Sequence, residues 1–301
     1  MIGLDPFTTA DLDWDEQQLV AINTQLSEYL GAEFTYLPSW PYALQSALRA
    51  LKLPREATIG VWSSAGETSY VQLLKDLFGN RYAFHSRATQ AQAYIACHRW
   101  GIRCADVEAL STEKTPLIED CRDVFYYESA DQHPGSYGRY AVFDLARWFP
   151  MQFGAVLVGD FVPDQGVWDE FHCLDVTKRN VVRELLQIHW PRRDEYAQRR
   201  RQNHQQYDQL FRLLGMRAAE SESLTVPMGF VLRAESPYDA AVIHRRLREF
   251  GVMSEFDARD NLIALPCHQN LRKGHVDYVF GAFRGMVNPC YTYVRGDPEA
   301  A

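Results

Sequence analysis

The chain has 301 residues, of which 47% are hydrophobic, and this predicts a folded protein with a sizeable core in one large or two smaller domains. A formal net charge of -8 argues against nucleic acid as the main partner, because phosphate neutralisation needs a basic surface. No run of about 18 apolar residues predicts a membrane span, and the acidic N-terminal segment lacks a signal-peptide pattern, so we expect a cytoplasmic protein.

The first half of the chain alternates between predicted helices and strands. Helical periodicity covers residues 13–31, and further helices are predicted from Pro41 to just before Pro54 and over residues 66–79. Short apolar runs predict strands at 57–62, 91–98, 116–121, 138–145 and 154–160. Strands that alternate with helices favour an α/β fold, with a mainly parallel sheet between helices.

Beyond residue 175 the sequence becomes more charged. A long helical region follows, with a break or bend predicted at Pro191. Then come a strand (228–234), a helix (238–251), a strand (261–268) and a helix (273–287). We therefore predict a large α/β domain over residues 1–175 and a small C-terminal α+β domain over residues 176–301.

Several segments, in a fixed order, carry a resemblance to one enzyme family. They are "LPSWPYALQSALRAL", "AYIACHRWG", "TPLIEDC", "GSYGRYAVFDLARWFPMQFGA" and "NLIALPCHQNL". The first three are similar to a phosphate-loop helix reading Ser-Gly-Thr-Ala-Ala-Leu, a strand ending in His-x-x-Gly, and a strand whose Asp faces the pyridine nitrogen of a cofactor. The last two are similar to a lysine-bearing segment and a late strand ending in Leu-Pro-x-His. Together they resemble the DegT/DnrJ/EryC1/StrS sugar aminotransferases, which are pyridoxal-phosphate (PLP) enzymes of fold type I.

The resemblance implies a set of cofactor-site residues. Asp120 matches the partner of the pyridine nitrogen, and Ser39, Trp40 and Pro41 match the phosphate loop. Asp144 matches a phosphate-contacting serine. Trp62 is a candidate for stacking on a ring, and His98 is a candidate for a place near the same crevice. The family also implies a homodimer and a small-molecule ligand in the interdomain crevice.

This sequence departs from the family where the cofactor would be held. Arg147 matches the lysine that forms the imine, and a guanidinium stays protonated and cannot form one. The chain has only five lysines, and none lies between Lys114 and Lys178. Pro41 has no N–H to offer a phosphate, and Asp144 would repel it. An ion pair between Asp144 and Arg147 is a further hypothesis.

Ordinary structural roles remain open for most of these residues. Arg147 is an ordinary surface or loop arginine if its segment is misaligned. An aspartate such as Asp120 is also a common polar loop residue at the C-terminal end of a parallel strand. His98 and Trp62 also suit the core. Neighbouring Glu119 and Asp120 point to opposite faces of their strand and make a poor acid/base pair. Three consecutive arginines occupy positions 199–201 of a predicted helix. They form either a solvated helix face or an anchor for an acidic ligand such as a nucleotide diphosphate.

Six scattered cysteines without a C-x-x-C pair predict buried, reduced thiols rather than zinc or disulfide sites. We favour a divergent aminotransferase-like pseudoenzyme that does not form a PLP imine and is retained for ligand binding, assembly or an altered reaction. One alternative is a working PLP- or PMP-dependent aminotransferase for an amino or nucleotide-sugar substrate. Another is a noncatalytic partner of a true aminotransferase. The resemblance implies PLP as the cofactor, but the residues at the matching positions do not support it. Whether the protein binds PLP therefore stays an open question.

Overall fold

The computed structural model describes residues 16–126, 133–160, 176–218, 226–234 and 239–287. Its helices are α1 (Glu16–Leu30), α2 (Trp40–Ala50), α3 (Glu67–Phe78), α4 (Val107–Ser111), α5 (Leu145–Trp148), α6 (Val176–His189), α7 (Arg193–Arg212), α8 (Ala240–Glu249) and α9 (Lys273–Val287). Its strands are β1 (Phe34–Leu37), β2 (Ala57–Ser63), β3 (Tyr82–Ser86), β4 (Ala93–Cys97), β5 (Leu117–Asp120), β6 (Tyr140–Asp144), β7 (Ala155–Val158), β8 (Gly229–Arg233), β9 (Glu255–Asp257) and β10 (Leu262–Pro266).

A seven-stranded sheet forms the larger unit, in the order β1-β7-β6-β5-β4-β2-β3. The neighbours from β3 to β6 are parallel, whereas β7 runs antiparallel to both β6 and β1. Helices cover both faces of the sheet. The predicted mainly parallel α/β architecture is therefore confirmed.

The two faces of the sheet bury different helices, and this determines which side chains can meet. Helices α2 and α3 pack on the face that carries Cys97, Ile118 and Val142. Asp120 lies two residues after Ile118 in β5 and so points to that same face. The opposite face packs against α1 and α6 at one side and α4 at the other.

The smaller unit is a three-stranded antiparallel sheet, β8-β10-β9, packed against α7, α8 and α9. Its core includes Tyr207 and Phe211 from the second half of α7. Val182 in α6 and Tyr196 early in α7 instead join the core of the large sheet. The predicted boundary at residue 175 stays a prediction, and this packing leads us to propose a boundary inside α7.

The break predicted at Pro191 is a short 3-10 turn, Trp190–Arg192, between α6 and α7. Proline lies in the first positions of this turn, where its missing N–H costs no helical hydrogen bond. Within the described residues, the four cysteines Cys97, Cys104, Cys121 and Cys267 are free and buried, as predicted, while Cys173 and Cys290 lie outside them. No helix in the described ranges has the length and apolar character to cross a membrane.

Candidate functional site

Asp120 is fully buried at the end of β5, and protein groups satisfy both of its carboxylate oxygens. The Trp40 indole Nε1–H donates to Oδ1 at 2.8 Å, and the Tyr70 hydroxyl donates to Oδ2 at 2.6 Å. The Arg122 backbone N–H donates to Oδ1 at 3.0 Å. Burial raises the pKa of Asp120, while the Arg122 charge and the Tyr70 hydrogen bond act to lower it.

The Arg122 guanidinium lies against the aromatic rings that surround Asp120. Its Cζ is 4.4 Å from the Trp40 ring centroid and 5.3 Å from that of Tyr70. Its Nε lies 3.9 Å from Asp123 Oδ2. Burial alone would lower the pKa of Arg122, but the Asp123 and Asp120 carboxylates outweigh it and raise the pKa. A permanent cation thus lies over the ring of Trp40, where cation–π attraction stabilises both groups.

Arg147 connects the two units of the protein through carboxylates. Its Nε is 2.9 Å from the buried Asp123 Oδ1, an ion pair that lacks aligned hydrogen-bond geometry. Its Nη2 donates to Glu255 Oε1 at 2.8 Å. Although burial opposes the charge, these two carboxylates raise the pKa of Arg147. Arg147 is therefore fixed as a cation and has no deprotonated form that could act as a nucleophile.

The predicted ion pair between Asp144 and Arg147 is not formed, because Arg147 turns to Asp123 and Glu255 instead. Asp144 caps α5, with its Oδ1 accepting from the Ala146 N–H at 3.1 Å. Burial raises the pKa of Asp144 to about 6, although the charge of Arg147 acts to lower it. Its role in the described structure is that of a helix cap.

Glu255, in β9 of the smaller sheet, receives several donors from the larger unit. The Trp100 indole Nε1–H donates to Oε2 at 2.7 Å, and Arg99 Nη2 lies 3.7 Å from the same oxygen. Burial would raise the pKa of Glu255, but the charges of Arg147 and Arg122 and the Trp100 hydrogen bond lower it. One ionised carboxylate thus joins the two sheets.

Beside this network lies a cavity of about 250 Å³ between the two sheets. Its walls include Trp100, Ala146, Arg147, Met228, Met253, Glu255 and residues 264–268. Burial and the nearby Arg200 lower the pKa of His268 to about 4, so this imidazole is neutral at pH 7. Its Nδ1 is buried without a hydrogen-bond partner among the described residues.

Arg200 supports one wall of this cavity from within the core. It is fully buried, its Cζ lies 4.4 Å from the Trp148 ring centroid, and it donates to the Arg147 carbonyl at 2.8 Å. Burial lowers its pKa to about 10. Arg200 is thus the buried member of the predicted arginine triplet at 199–201, and the solvated-face interpretation does not apply to it.

Trp62 and His98 lie on the opposite face of the sheet from Asp120. Trp62 packs edge-on against Tyr94, with ring centroids 4.9 Å apart. His98 Nε2 is 3.0 Å from Glu119 Oε2, and His98 Nδ1 accepts from the Cys104 N–H. Both nitrogens of this buried histidine are thus engaged, and we leave both residues out of the site proposed below. Glu119 and Asp120 point apart, as predicted.

His98, Glu119 and Cys121 place potential metal-ligand atoms within 4.8 Å of one another. However, the Glu119 oxygens already accept from the backbone N–H groups of Gly135, Tyr137 and Gly138. Burial would raise the pKa of Glu119, but the contact with His98 and the N–H groups of Gly135 and Gly138 lower it. The cluster is better explained as a hydrogen-bonded pair that attaches the 133–139 loop to the sheet.

The residues present do not fit a PLP molecule bound in the manner that the resemblance implies. Trp40 and Tyr70 already donate to the carboxylate assigned to the pyridine nitrogen. At the start of α2, Ser39 makes no side-chain cap bond and Pro41 removes an N–H. All five lysines are exposed on the surface.

Sequence reasoning identified Trp40, Asp120 and Arg147, which the fold brings into one network, but it missed Tyr70, Arg122 and Glu255. The signal for Arg122 was available, because "DCRD" places an arginine two residues after Asp120, between two acids. Glu255 carried no such signal, since its strand has only three residues.

No family model matches the sequence, and no curated protein matches it either. Solved structures do resemble its fold. The aminotransferase TlmJ from Streptoalloteichus hindustanus is 15% identical, with 91% of each chain covered and a TM-score of 0.70. DesV from S. venezuelae is 16% identical, covering 90% of this chain and 89% of DesV, with a TM-score of 0.65.

A third similar structure is PseC from Helicobacter pylori, an aminotransferase involved in the biosynthesis of pseudoaminic acid. It is 13% identical, covers 89% of this chain and 90% of its own, and has a TM-score of 0.64. The chain therefore has the fold type I architecture of sugar aminotransferases, as the resemblance implied. At these identities the similarity establishes the fold alone.

Proposed function

We propose that this protein uses the aminotransferase fold without imine chemistry and binds a compact organic molecule in the cavity between its two sheets. The observation that carries the proposal is the hydrogen bond from Trp40 Nε1 to Asp120 Oδ1. The resemblance assigns Asp120 to a protonated ring nitrogen, and here an indole N–H supplies that donor from within the chain. The protein thereby satisfies a buried carboxylate that would otherwise require a ligand.

The positions of the lysines support the same proposal. Imine formation requires an amine within bonding distance of the carbonyl carbon, and every lysine side chain in this protein is exposed. Lys178 is the first lysine after position 147, and it lies on α6, which packs against α1. A working aminotransferase would need a lysine from a partner chain or a noncovalent cofactor.

The cavity indicates the size and chemistry of the ligand. The cavity volume of about 250 Å³ lies just below the usual range for small-molecule sites, which begins at about 300 Å³. This size favours a compact molecule over a nucleotide sugar. Methionine, alanine and tryptophan side chains supply apolar contacts. The partly exposed guanidinium of Arg147 supplies a polar contact, and His268 lines the same cavity with its Nδ1 buried.

A homodimer in the cytoplasm is part of this proposal, in keeping with the fold. The first test is a PLP titration of the full-length protein, followed by visible absorption, borohydride reduction and intact mass. We expect no saturable absorbance change and no stoichiometric adduct. A single adduct that maps to one lysine at one equivalent of PLP would refute the proposal and favour a working aminotransferase. Co-purification with a lysine-bearing homologue would favour the partner role.

Ligand binding is tested separately by thermal shift with compact organic acids and with nucleotide sugars. Wild-type protein is compared with Met253→Glu, which places a negative charge in the cavity wall, at a residue that is 60% exposed, and so repels a bound acid. Val242→Glu, on the surface of α8, is the matched control because it does not line the cavity. Shifts by compact acids that Met253→Glu abolishes and Val242→Glu retains support the site.

A further inference from the structure

A second cavity, of about 480 Å³, opens at the edge of the large sheet opposite to Asp120. It lies where β2 and β3 begin, whereas Asp120 lies where β5 ends, and these strands belong to one parallel set. Its walls are formed by Gln45, Arg49, Arg55, Phe78, Asn80, Arg81 and Tyr82. The residues come from the second half of α2, the loop before β2, the end of α3, the loop between α3 and β3, and the start of β3.

The polar side chains that line this cavity are either positively charged or uncharged. Three arginines, Arg49, Arg55 and Arg81, line it without any acidic side chain in its walls. Within the described ranges, none of the three forms an ion pair. Like charges gathered without a counter-charge repel one another, so an anion is the ligand that such a cluster favours.

Two residues that line this cavity each have a buried polar atom without a hydrogen-bond partner among the described residues. Tyr82 is 3% exposed, and its hydroxyl has no hydrogen-bond partner among the described residues. Arg49 Nε is also buried and without a partner in the part of the chain that the structure describes. Buried donors are nearly always satisfied in folded proteins, and each exception calls for an explanation. Both atoms are shielded from solvent in this structure, so a ligand that accepts hydrogen bonds would satisfy each of them once a side-chain movement turns the atom toward the cavity.

A simpler explanation covers only part of these observations. Arg49 lies in the last turn of α2, where a cation interacts favourably with the helix dipole. That interaction does not require an open cavity, and it does not involve the hydroxyl of Tyr82. The cavity and the unpartnered atoms therefore need a separate cause.

We infer that this cavity is a binding site for a small organic phosphate. A phosphate monoester carries a charge of about −1.5 to −2 and three strong acceptor oxygens, which suits several guanidinium groups better than one carboxylate does. The amides of Gln45 and Asn80 add further donors. The rings of Phe78 and Tyr82 form an apolar wall for the organic part of the ligand. The site is independent of the cavity beside Arg147.

The inference is tested by calorimetric titration of the full-length protein with phenyl phosphate, inorganic phosphate and benzoate. We expect phenyl phosphate to bind more tightly than the other two. Arg49→Gln and Arg81→Gln should each weaken the affinity for phenyl phosphate roughly tenfold, because the loss of one hydrogen bond to a charged group lowers an affinity by about that factor. Arg245→Gln, an exposed arginine on α8, is the matched control and should bind as the wild type does.

Tyr82→Phe separates a binding role from a structural one. If the hydroxyl has no partner in the free protein, its removal should leave the melting temperature unchanged or raised. The same variant should lose part of the stabilisation that phenyl phosphate gives the wild type. Equal binding by wild type and Arg81→Gln, or tighter binding of benzoate, would overturn the inference.

Discussion

The indole N–H of Trp40 donates a 2.8 Å hydrogen bond to Oδ1 of the fully buried Asp120. One residue comes from the start of α2 and the other from the end of β5, 80 positions apart in the chain. The pair joins two segments that the resemblance assigns to the phosphate and the ring of one cofactor. Both side chains are buried, so the contact between them is part of the protein core.

Arg147→Lys should not restore imine formation. The variant would supply an amine at the position that the resemblance assigns to the nucleophile, but Trp40 and Tyr70 would still satisfy Asp120. Addition of PLP should therefore give no stable imine absorption band and no single borohydride adduct. A band that appears in Arg147→Lys and not in Arg147→Gln would show that the ring side of the site is open.

Trp40→Phe should destabilise the protein by about 1 to 3 kcal/mol, because the buried carboxylate of Asp120 loses a donor. Loss of the donor should raise the already raised pKa of Asp120 further. When a carboxyl group has a higher pKa in the folded than in the unfolded protein, the protein loses stability as pH rises between those two values. A further rise in the Asp120 pKa extends this loss to higher pH, so the destabilisation by Trp40→Phe should be larger at pH 8 than at pH 5. Urea unfolding at both pH values measures this.

The control for that substitution is Trp62→Phe, which removes a buried indole on the opposite face of the sheet. Its cost should come from lost packing and should not change with pH between 5 and 8. Equal pH dependence in both variants would contradict the assigned role of Trp40.

The Asp144→Asn variant should become more stable relative to the wild type as pH rises. Burial raises the folded pKa of Asp144 to about 6, above the unfolded value of about 3.9. Between these values the unfolded state ionises first, so the wild type loses stability as pH rises from about 4 to 7. The asparagine variant keeps a side-chain oxygen for the cap and should gain about 1 to 2 kcal/mol relative to wild type over that range, allowing for partial exposure.

The measurement is thermal or urea unfolding of both proteins at pH 4.5 and pH 7. Asp239 caps α8 in the same way, with Oδ1 accepting from the Ala241 N–H, but it is exposed. Asp239→Asn therefore reports the change of cap alone. A pH-independent difference between wild type and Asp144→Asn would show that the carboxylate is well solvated.

Glu255→Gln should weaken the attachment between the two sheets. Arg147 donates to Oε1 and Trp100 donates to Oε2. Glutamine has one acceptor oxygen, so one of these donors would face the amide NH2 group and the negative charge would be lost. Because 40% of the Glu255 side chain is exposed, screening limits the expected loss to about 1 kcal/mol at pH 7. The folded pKa of Glu255 is lowered, so its contribution is present above the unfolded value of about 4.3 and is lost as pH falls.

Unfolding at pH 7 and pH 3.5 tests this, and the difference from wild type should shrink at the lower value. The control is Glu195→Gln, at the start of α7, which disrupts exposed ion pairs with Arg192 and Arg199 and should cost less stability. A larger loss in the control would contradict the bridging role of Glu255.

Much of the fold was predictable because its elements carry local signals. Apolar runs such as that of β4, which is buried throughout, predicted strands, and Pro191 predicted the break between α6 and α7. The strands β1, β3 and β9 were missed, since they have only three to five residues and no clear periodicity. The Asp144–Arg147 ion pair was predicted wrongly, because spacing within one segment does not show which distant carboxylates compete for a guanidinium.

The sequence alone determined that the chain offers no lysine near position 147 and no N–H at position 41, because these are properties of residue identity. It also determined the side to which Asp120 points relative to Glu119, because strand geometry alternates side chains. Only the tertiary structure decided that Trp40 and Tyr70 donate to Asp120 and that Glu255 reaches Arg147. Hydrogen bonds and ion pairs act over a few ångströms, so they depend on which distant segments packing brings together.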